Sequence, residues 1–282
     1  VKLAELRQEY HREVCARILT TAPAGVPNLA DTSSATSIEI TRGLIEQLGY
    51  PLAATRLAGQ RAGKLFEELT CEFLMQAFAL LRHLRPGEWE FFVHRGIAAF
   101  EQYEHLAQLQ RALEENPALA AALGADYLVT PDIVVGRYPV SDAEINRFEH
   151  VVDEKGHLCR LTPLREGNRP ERRPLLHASI SCKWTIRSDR AQNIRTEALN
   201  LIRNRKGHTP HVVVVTAEPM PTRLASLALG TGDLDCVYHF ALPELREAVL
   251  AAGNVDQLEM LDAMVEGRRL RDISDLPFDL AA

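Results

Sequence analysis

Residues 176–197 read LHASISCKWTIRSDRAQNIRTE. The segment starts as a strand and ends as a helix, and that switch sets the architecture of everything around it. Small, β-branched and apolar residues alternate across 178–184, as in a half-buried strand. A side-chain period of two puts Ser181 and Lys183 on one face, with Ile180 and Cys182 on the other. A lysine on an otherwise apolar strand is costly to bury alone, so Lys183 should sit near carboxylates or bind an anion. Arg187-Ser188-Asp189-Arg190 follows, dense in side chains that make paired hydrogen bonds. Ser188 or Asp189 is the expected N-cap of the helix carrying Glu197.

Outward from this segment, residues 211–217 (HVVVVTA) have the unbroken apolar character of a central strand buried on both faces. A short helix over 221–229, a strand over 236–240 and helices over 243–252 and 255–266 are expected next, before a polar tail. Upstream, apolar residues at helical spacing predict helices over 2–19 and 59–83. Ser37 is the expected cap of a helix running to Leu48. Residues 21–35 read as a turn-rich loop containing Asp31. GEWEFFVH (87–94) is expected to be a short strand, and 98–115 and 117–123 helices. Residues 128–137 (LVTPDIVVGR) form a strand candidate that holds Pro131 and Asp132, although proline belongs at an edge or bulge. Residues 139–174 are irregular, with REGNRPERR a surface loop. Strands alternating with helices across 128–240 indicate an α/β fold. Its central mixed sheet is expected to be flanked by helices, with helical additions at both ends. All 282 residues are assigned to one domain, with a core over about 60–240, an N-terminal helical part over 1–58 and C-terminal helices over 241–282.

The chain is 46% hydrophobic and 25% charged, an ordinary balance for a globular protein. No apolar run approaches the roughly 18 residues needed to span a bilayer. The amphipathic N-terminal stretch lacks the apolar centre of a signal peptide, so a cytoplasmic location without membrane association is expected. Five cysteines without CxxC pairing argue against structural zinc and a disulfide framework. The formal net charge of −6 speaks against nucleic acid at first, but charge is unevenly distributed. Residues 181–210 carry seven Lys/Arg against two acids, whereas 240–282 carry four arginines against nine acids. An acidic protein with one basic face can hold a phosphate backbone on that face alone.

Asp132 after Pro131, Lys183 two places past Ser181 and Glu197 on the following helix form an ordered set. Singly each has an ordinary structural explanation: a turn residue, an edge lysine reaching solvent, a solvated helix carboxylate. Together they are the groups that metal-assisted phosphodiester hydrolysis uses. Carboxylate oxygens suit Mg²⁺, and an ammonium can orient a water and offset charge building on a phosphate.

The order Pro-Asp, Ser-x-Lys, downstream Glu resembles the PD-(D/E)xK nuclease superfamily. More narrowly, it is similar to the tetrameric type II restriction endonucleases in which the motif glutamate has moved from the strand to the next helix, and among them to the NgoMIV family. The resemblance covers nearly the whole chain. It is strongest at LHASISCKWTIRSDRAQN, RNRKG, VVVVTAEP, LGTG and DISDLP, and in the helix with GQ…G…FE. It implies a restriction-endonuclease-like core and Mg²⁺ as cofactor, with two ions per active site. Asp132 would be the central metal ligand, the Cys182 carbonyl a further contact, and Lys183 would act near the attacking water. Ser181 would occupy the usual acidic position, Glu197 would restore the missing carboxylate, and Glu67 would complete the site. Phe66 directly before Glu67 matches the family's pattern, which favours Glu67 over Glu68.

The resemblance also implies base reading. Arg187, Asp189 and Arg190 would contact the inner CCGG of a GCCGGC site in the major groove. Arginine forks match guanine O6 and N7, and aspartate accepts from the cytosine amino group. Arg223 and Asp31 would read the outer G·C pair and Gln60 the minor groove, while Arg203 and Lys206 would hold phosphates. Residues 84–105 and 139–174 depart most from the family and are expected to be connectors or subunit contacts. The partner implied is palindromic double-stranded DNA within a restriction-modification system. A palindrome requires at least a dimer, and the family habit is a tetramer of two dimers. Two other readings are a repair or junction-resolving nuclease without strict base reading, and a catalytically silent DNA-binding protein. Sequence preference that survives loss of Arg187 would favour the first; binding without cleavage in any metal would favour the second.

Overall fold

A computed structural model describes residues 2–123, 128–166 and 171–282, the side chains of Leu123, Ser188, Asp189 and Arg190 excepted. The elements run α1 (Leu3–Arg17), α2 (Ala35–Leu48), α3 (Gly59–Leu80), β1 (Trp89–Val93), two 3-10 turns (Ile97–Ala99, Glu101–Tyr103), α4 (Glu104–Glu114) and α5 (Pro117–Leu123). Then come β2 (Ile133–Arg137), α6 (Asp142–Ile145), β3 (Leu175–Lys183), α7 (Ser188–Asn204), β4 (His211–Thr216), α8 (Pro221–Ala228), β5 (Cys236–His239), α9 (Leu242–Ala251), α10 (Val255–Glu266), β6 (Leu270–Asp272) and α11 (Leu276–Ala281).

Among the described residues six strands form one sheet in chain order. β1–β2 and β2–β3 pair antiparallel, while β3–β4, β4–β5 and β5–β6 pair parallel. The expected mixed α/β sheet flanked by helices is therefore present. β4 is central, with Val212 to Val215 all buried between β3 and β5. Helices α1, α2, α3 and α9 pack with the sheet into one apolar core. Phe66 on α3 is fully buried, edge-on to Trp184 at 5.3 Å and to Phe240 at 6.4 Å, which fixes how α3 presents its next residue, Glu67. Arg7 on α1 is bonded on two sides, to Glu244 of α9 at 2.6–2.7 Å and to Asp272 of β6 at 2.8–2.9 Å.

Several local expectations are corrected. The strand with Pro131 begins only at Ile133, paired with Val93, so Asp132 sits just before it. Proline has no N–H for a ladder, and pairing starts after it. Ser34, not Ser37, caps α2: its side chain accepts from the Ser37 amide at 3.2 Å, while the buried Ser37 hydroxyl accepts from the Asp31 amide at 2.9 Å. The cap position of α7 belongs to Arg187, whose side chain makes no capping bond, and Ser188 is already helical. Residues 98–103 are 3-10 turns rather than α-helix, and the helix proper starts at Glu104. The expected polar tail contains a sheet strand, β6, and a closing helix, α11. Within REGNRPERR, residues 167–170 lie outside those described. Among the described residues no helix is long and apolar enough to cross a membrane.

Candidate active site

β3 and the segment entering β2 bring Asp132 and Lys183 together. Asp132 Oδ2 accepts from Lys183 Nζ at 2.7 Å and from the Cys182 amide at 2.7 Å. The antiparallel β2–β3 register makes this contact possible, since Ile133 lies opposite Ile180. Burial works against the Lys183 ammonium, but Asp132 outweighs it and holds the ammonium above its ordinary pKa. Ser181 lies on β3, half-buried, on the Lys183 face.

A cleft of about 560 Å³ opens beside this pair. Glu67 of α3, Gln60 nearly two turns earlier, Cys182, Lys183, Arg187 and Glu197 of α7 all line it. Burial first, then the Asp132 charge, raise the Glu67 pKa against the opposing pull of His94 and Lys183. Burial also raises that of Glu197, opposed by Lys183. Carboxylates are thus crowded at one point around the Lys183 ammonium.

His94 is among the residues that sequence reasoning missed. It follows β1 with φ of +54°, a left-handed conformation uncommon for a residue with a side chain and here met by a local constraint. The constraint is visible: its amide donates to the Asp132 carbonyl at 3.0 Å. The turn brings Nε2 within 3.0 Å of Glu67 Oε2, without the alignment of a hydrogen bond. Glu67 Oε2 is buried and has no hydrogen-bond partner. Ligand atoms of Glu67, His94 and Asp132 all lie within 4.8 Å of one another. An orphaned carboxylate oxygen among carboxylates that oppose each other's charge is a donor set suited to a divalent cation. Lys64 and Arg56 also line the cleft and were not singled out from sequence, because a charge on a helix face carries no signal of what it faces.

The remaining expected positions separate into two groups. Arg223 and Asp31 form an ion pair with each other. Ser33 first, then Arg223, hold the Asp31 carboxyl down at about 2. Behind them Glu218 is fully buried and accepts from the Ile186 amide at 2.8 Å and the Met220 amide at 3.2 Å. Burial raises its pKa, and the Ile186 bond opposes that rise. Arg203 and Lys206 are exposed at the far end of α7, away from the cleft. Six residues past Glu197, Arg203 lies about 9 Å further along the helix axis. Lys206 Nζ is 3.8 Å from Glu104. The side chains of Asp189 and Arg190 lie outside those described.

A mixed sheet that gathers carboxylates and a lysine at one cleft, with an arginine on its wall, is the frame of a nuclease. The sequence model of the NgoMIV restriction enzyme family matches residues 10–282, and the chain belongs to that family. It is a type II restriction endonuclease, a site-specific deoxyribonuclease. Type II restriction enzyme NgoMIV of Neisseria gonorrhoeae is 51% identical over 281 residues, covering 98% of this chain and 97% of that one. Among solved structures, Bse634I with cognate DNA matches over 93% of this chain and 91% of its own, at 12% identity and a TM-score of 0.36. A PspGI–substrate DNA complex matches over 99% and 92%, at 15% identity and a TM-score of 0.26. Likeness that low decides nothing further, and the fold rests on the strand order itself.

Proposed function

We propose that the enzyme cuts double-stranded DNA at GCCGGC, as G/CCGGC, leaving 5′ CCGG ends, and that it is a PD-(D/E)xK nuclease using Mg²⁺. The observation that carries the catalytic part is the Asp132–Lys183 contact of 2.7 Å at a cleft that Glu67 and Glu197 also face. Asp132, Glu67, Glu197 and the Cys182 carbonyl would hold the cation, two ions per site, with His94 as a further donor. When bound, Mg²⁺ polarises the scissile phosphate and acidifies a neighbouring water. Lys183, kept cationic by Asp132, orients the attacking water and offsets charge on the phosphate oxygens. Ser181 takes the place of the usual strand carboxylate, and Glu197 supplies that charge from α7.

Arg187 is exposed on the cleft wall two residues beyond Thr185, so a groove seated on the catalytic residues would meet its fork. With Asp189 and Arg190 it reads the inner CCGG. Arg223 and Asp31, already paired, read the outer G·C as a unit, and Gln60 enters the minor groove. Arg203 and Lys206 contact phosphates of flanking duplex, outside the catalytic cleft.

A palindromic site calls for two-fold symmetry, and we assign the working form as a tetramer of two dimers. The segment after β2 supports this. Phe148, Val151, Leu158 and Leu161 are 66–92% exposed there. The segment is nonetheless braced: Arg165 is buried and donates to both Asp142 carboxylate oxygens and to the Leu158 and Asp153 carbonyls. Holding apolar side chains rigidly in water is unfavourable, and a second copy of the chain would cover them.

Digestion of a plasmid bearing GCCGGC, with Mg²⁺ and with EDTA, tests the assignment. Linear product in Mg²⁺ alone is expected. An intact plasmid in Mg²⁺ with folded protein would remove the assignment.

A further inference from the structure

We propose that Glu218 is a positioning residue that fixes both base-reading arms to one buried point, the Arg187 arm through the Ile186 amide and the Arg223 arm through its guanidinium. This rests on the reading above, in which Arg187 faces the inner and Arg223 the outer base pairs.

Glu218 has no exposed surface. A carboxylate is costly to bury, and an apolar residue would fill the space without that cost. What the carboxylate adds is directional. Oε2 accepts from the Ile186 amide at 2.8 Å, immediately before Arg187. Oε1 accepts from the Met220 amide at 3.2 Å, at the mouth of α8, and lies 3.8 Å from Arg223 Nη1. Arg223 is therefore bonded to Asp31 through one nitrogen and faces the Glu218 charge with the other, while its side chain stays 36% exposed. The same residue is wired to the catalytic strand. The Glu218 amide donates to Thr216 Oγ1 at 3.1 Å, and that hydroxyl donates to the Lys183 carbonyl at 2.7 Å. The path from Lys183 through Thr216 and Glu218 to Ile186 and Arg223 sets both reading arms at a fixed distance from the scissile bond. Neither arm carries this information alone, because a guanidinium on a long side chain has many rotamers.

The test compares kcat/KM on three duplexes: GCCGGC, ACCGGT with the outer pair changed, and GCGCGC with an inner pair changed. Glu218→Gln keeps the size and removes the charge behind Arg223. The expected result is that its preference for GCCGGC over ACCGGT falls about tenfold or more, on the scale of one lost arginine–guanine fork. Preference over GCGCGC should fall less, since the glutamine oxygen can still accept from Ile186. In an Arg223→Ala background the same substitution should change outer-pair preference no further, the mark of a shared path. A merely structural role would lower the melting temperature and slow all three duplexes by one common factor. Unchanged ratios in Glu218→Gln, while the natural enzyme discriminates, overturn the inference alone. A natural enzyme indifferent to the outer pair overturns the reading beneath it. Glu218→Asp keeps the buried charge but withdraws it from Arg223, and gives the same ratios to read should the glutamine variant not fold.

Discussion

Lys183 reaches Asp132 at 2.7 Å and is held above its ordinary pKa by that carboxylate, so it remains charged throughout the range in which DNA is stable. Its proposed task is confined to chemistry. Lys183→Ala should lower the cleavage rate by about 10²–10³-fold or more, the scale of one lost stabiliser of developing charge. Specific binding in Ca²⁺, measured by gel shift, should survive. Equal loss of both would place Lys183 in DNA binding instead. Asp132, Lys183 and Glu197 were legible in the sequence because each is unusual in its local context: an acid after proline beside a strand, an amine within an apolar strand, a carboxylate one helix later. His94 and Glu218 were not. His94 owes its place to the β1–β2 register and to a left-handed turn, neither of which one residue announces. Glu218 sits in an apolar run where a lone acid reads as a strand end, and its role depends on the Ile186 amide, 32 residues away in the chain.

At the scale of elements, the closing helix α11 is anchored by a histidine. His177 on β3 is buried and its Nε2–H donates to the Leu280 carbonyl at 2.7 Å; that bond suits the charged ring too, and burial outweighs it in favour of the neutral one. Burial drives its pKa down to about 3, and that of fully buried His239 on β5 down to about 4. Both values lie below the ordinary 6.5, so the unfolded chain takes up protons first. Their contribution to stability is complete above pH 6.5 and is lost as pH falls toward 3–4, at about 1.4 kcal/mol per pH unit for each ring. Urea midpoints should therefore fall already between pH 6.5 and 5, before most carboxylates titrate. His177→Gln should make that decline shallower, with His239, His11 and His211, whose pKa values burial also lowers, sustaining the remainder. A flat midpoint in the natural enzyme over this window would contradict the burial of these rings. Helices and apolar strands such as α3 and β4 were readable from periodicity and β-branched runs. The C-terminal strand β6 was not: three residues, one of them the aspartate that grips Arg7, give no alternation to detect, and the tail is ordered by contacts with α1 and β5.

At the scale of the whole molecule, the net charge of −6 concealed a DNA enzyme because the basic residues cluster around α7 and the acids around the far end of the chain. The proposed tetramer draws least on the sequence, since exposed apolar side chains in an irregular segment carry no signal there, and the bonds by which Arg165 braces that segment come only from the fold. Phe148→Asp with Leu158→Asp should cut the mass measured by light scattering from that of four chains to two and leave the cleavage word unchanged. A natural enzyme that already runs as a monomer would refute the assembly.

The most direct measurement is to digest genomic DNA with the enzyme in Mg²⁺ and sequence the fragment ends in bulk. The ends should begin with CCGGC preceded in the genome by G, on both strands, with 5′ extensions of four bases. Ends scattered without a shared word, or a word lacking the central CCGG, would contradict the proposed function.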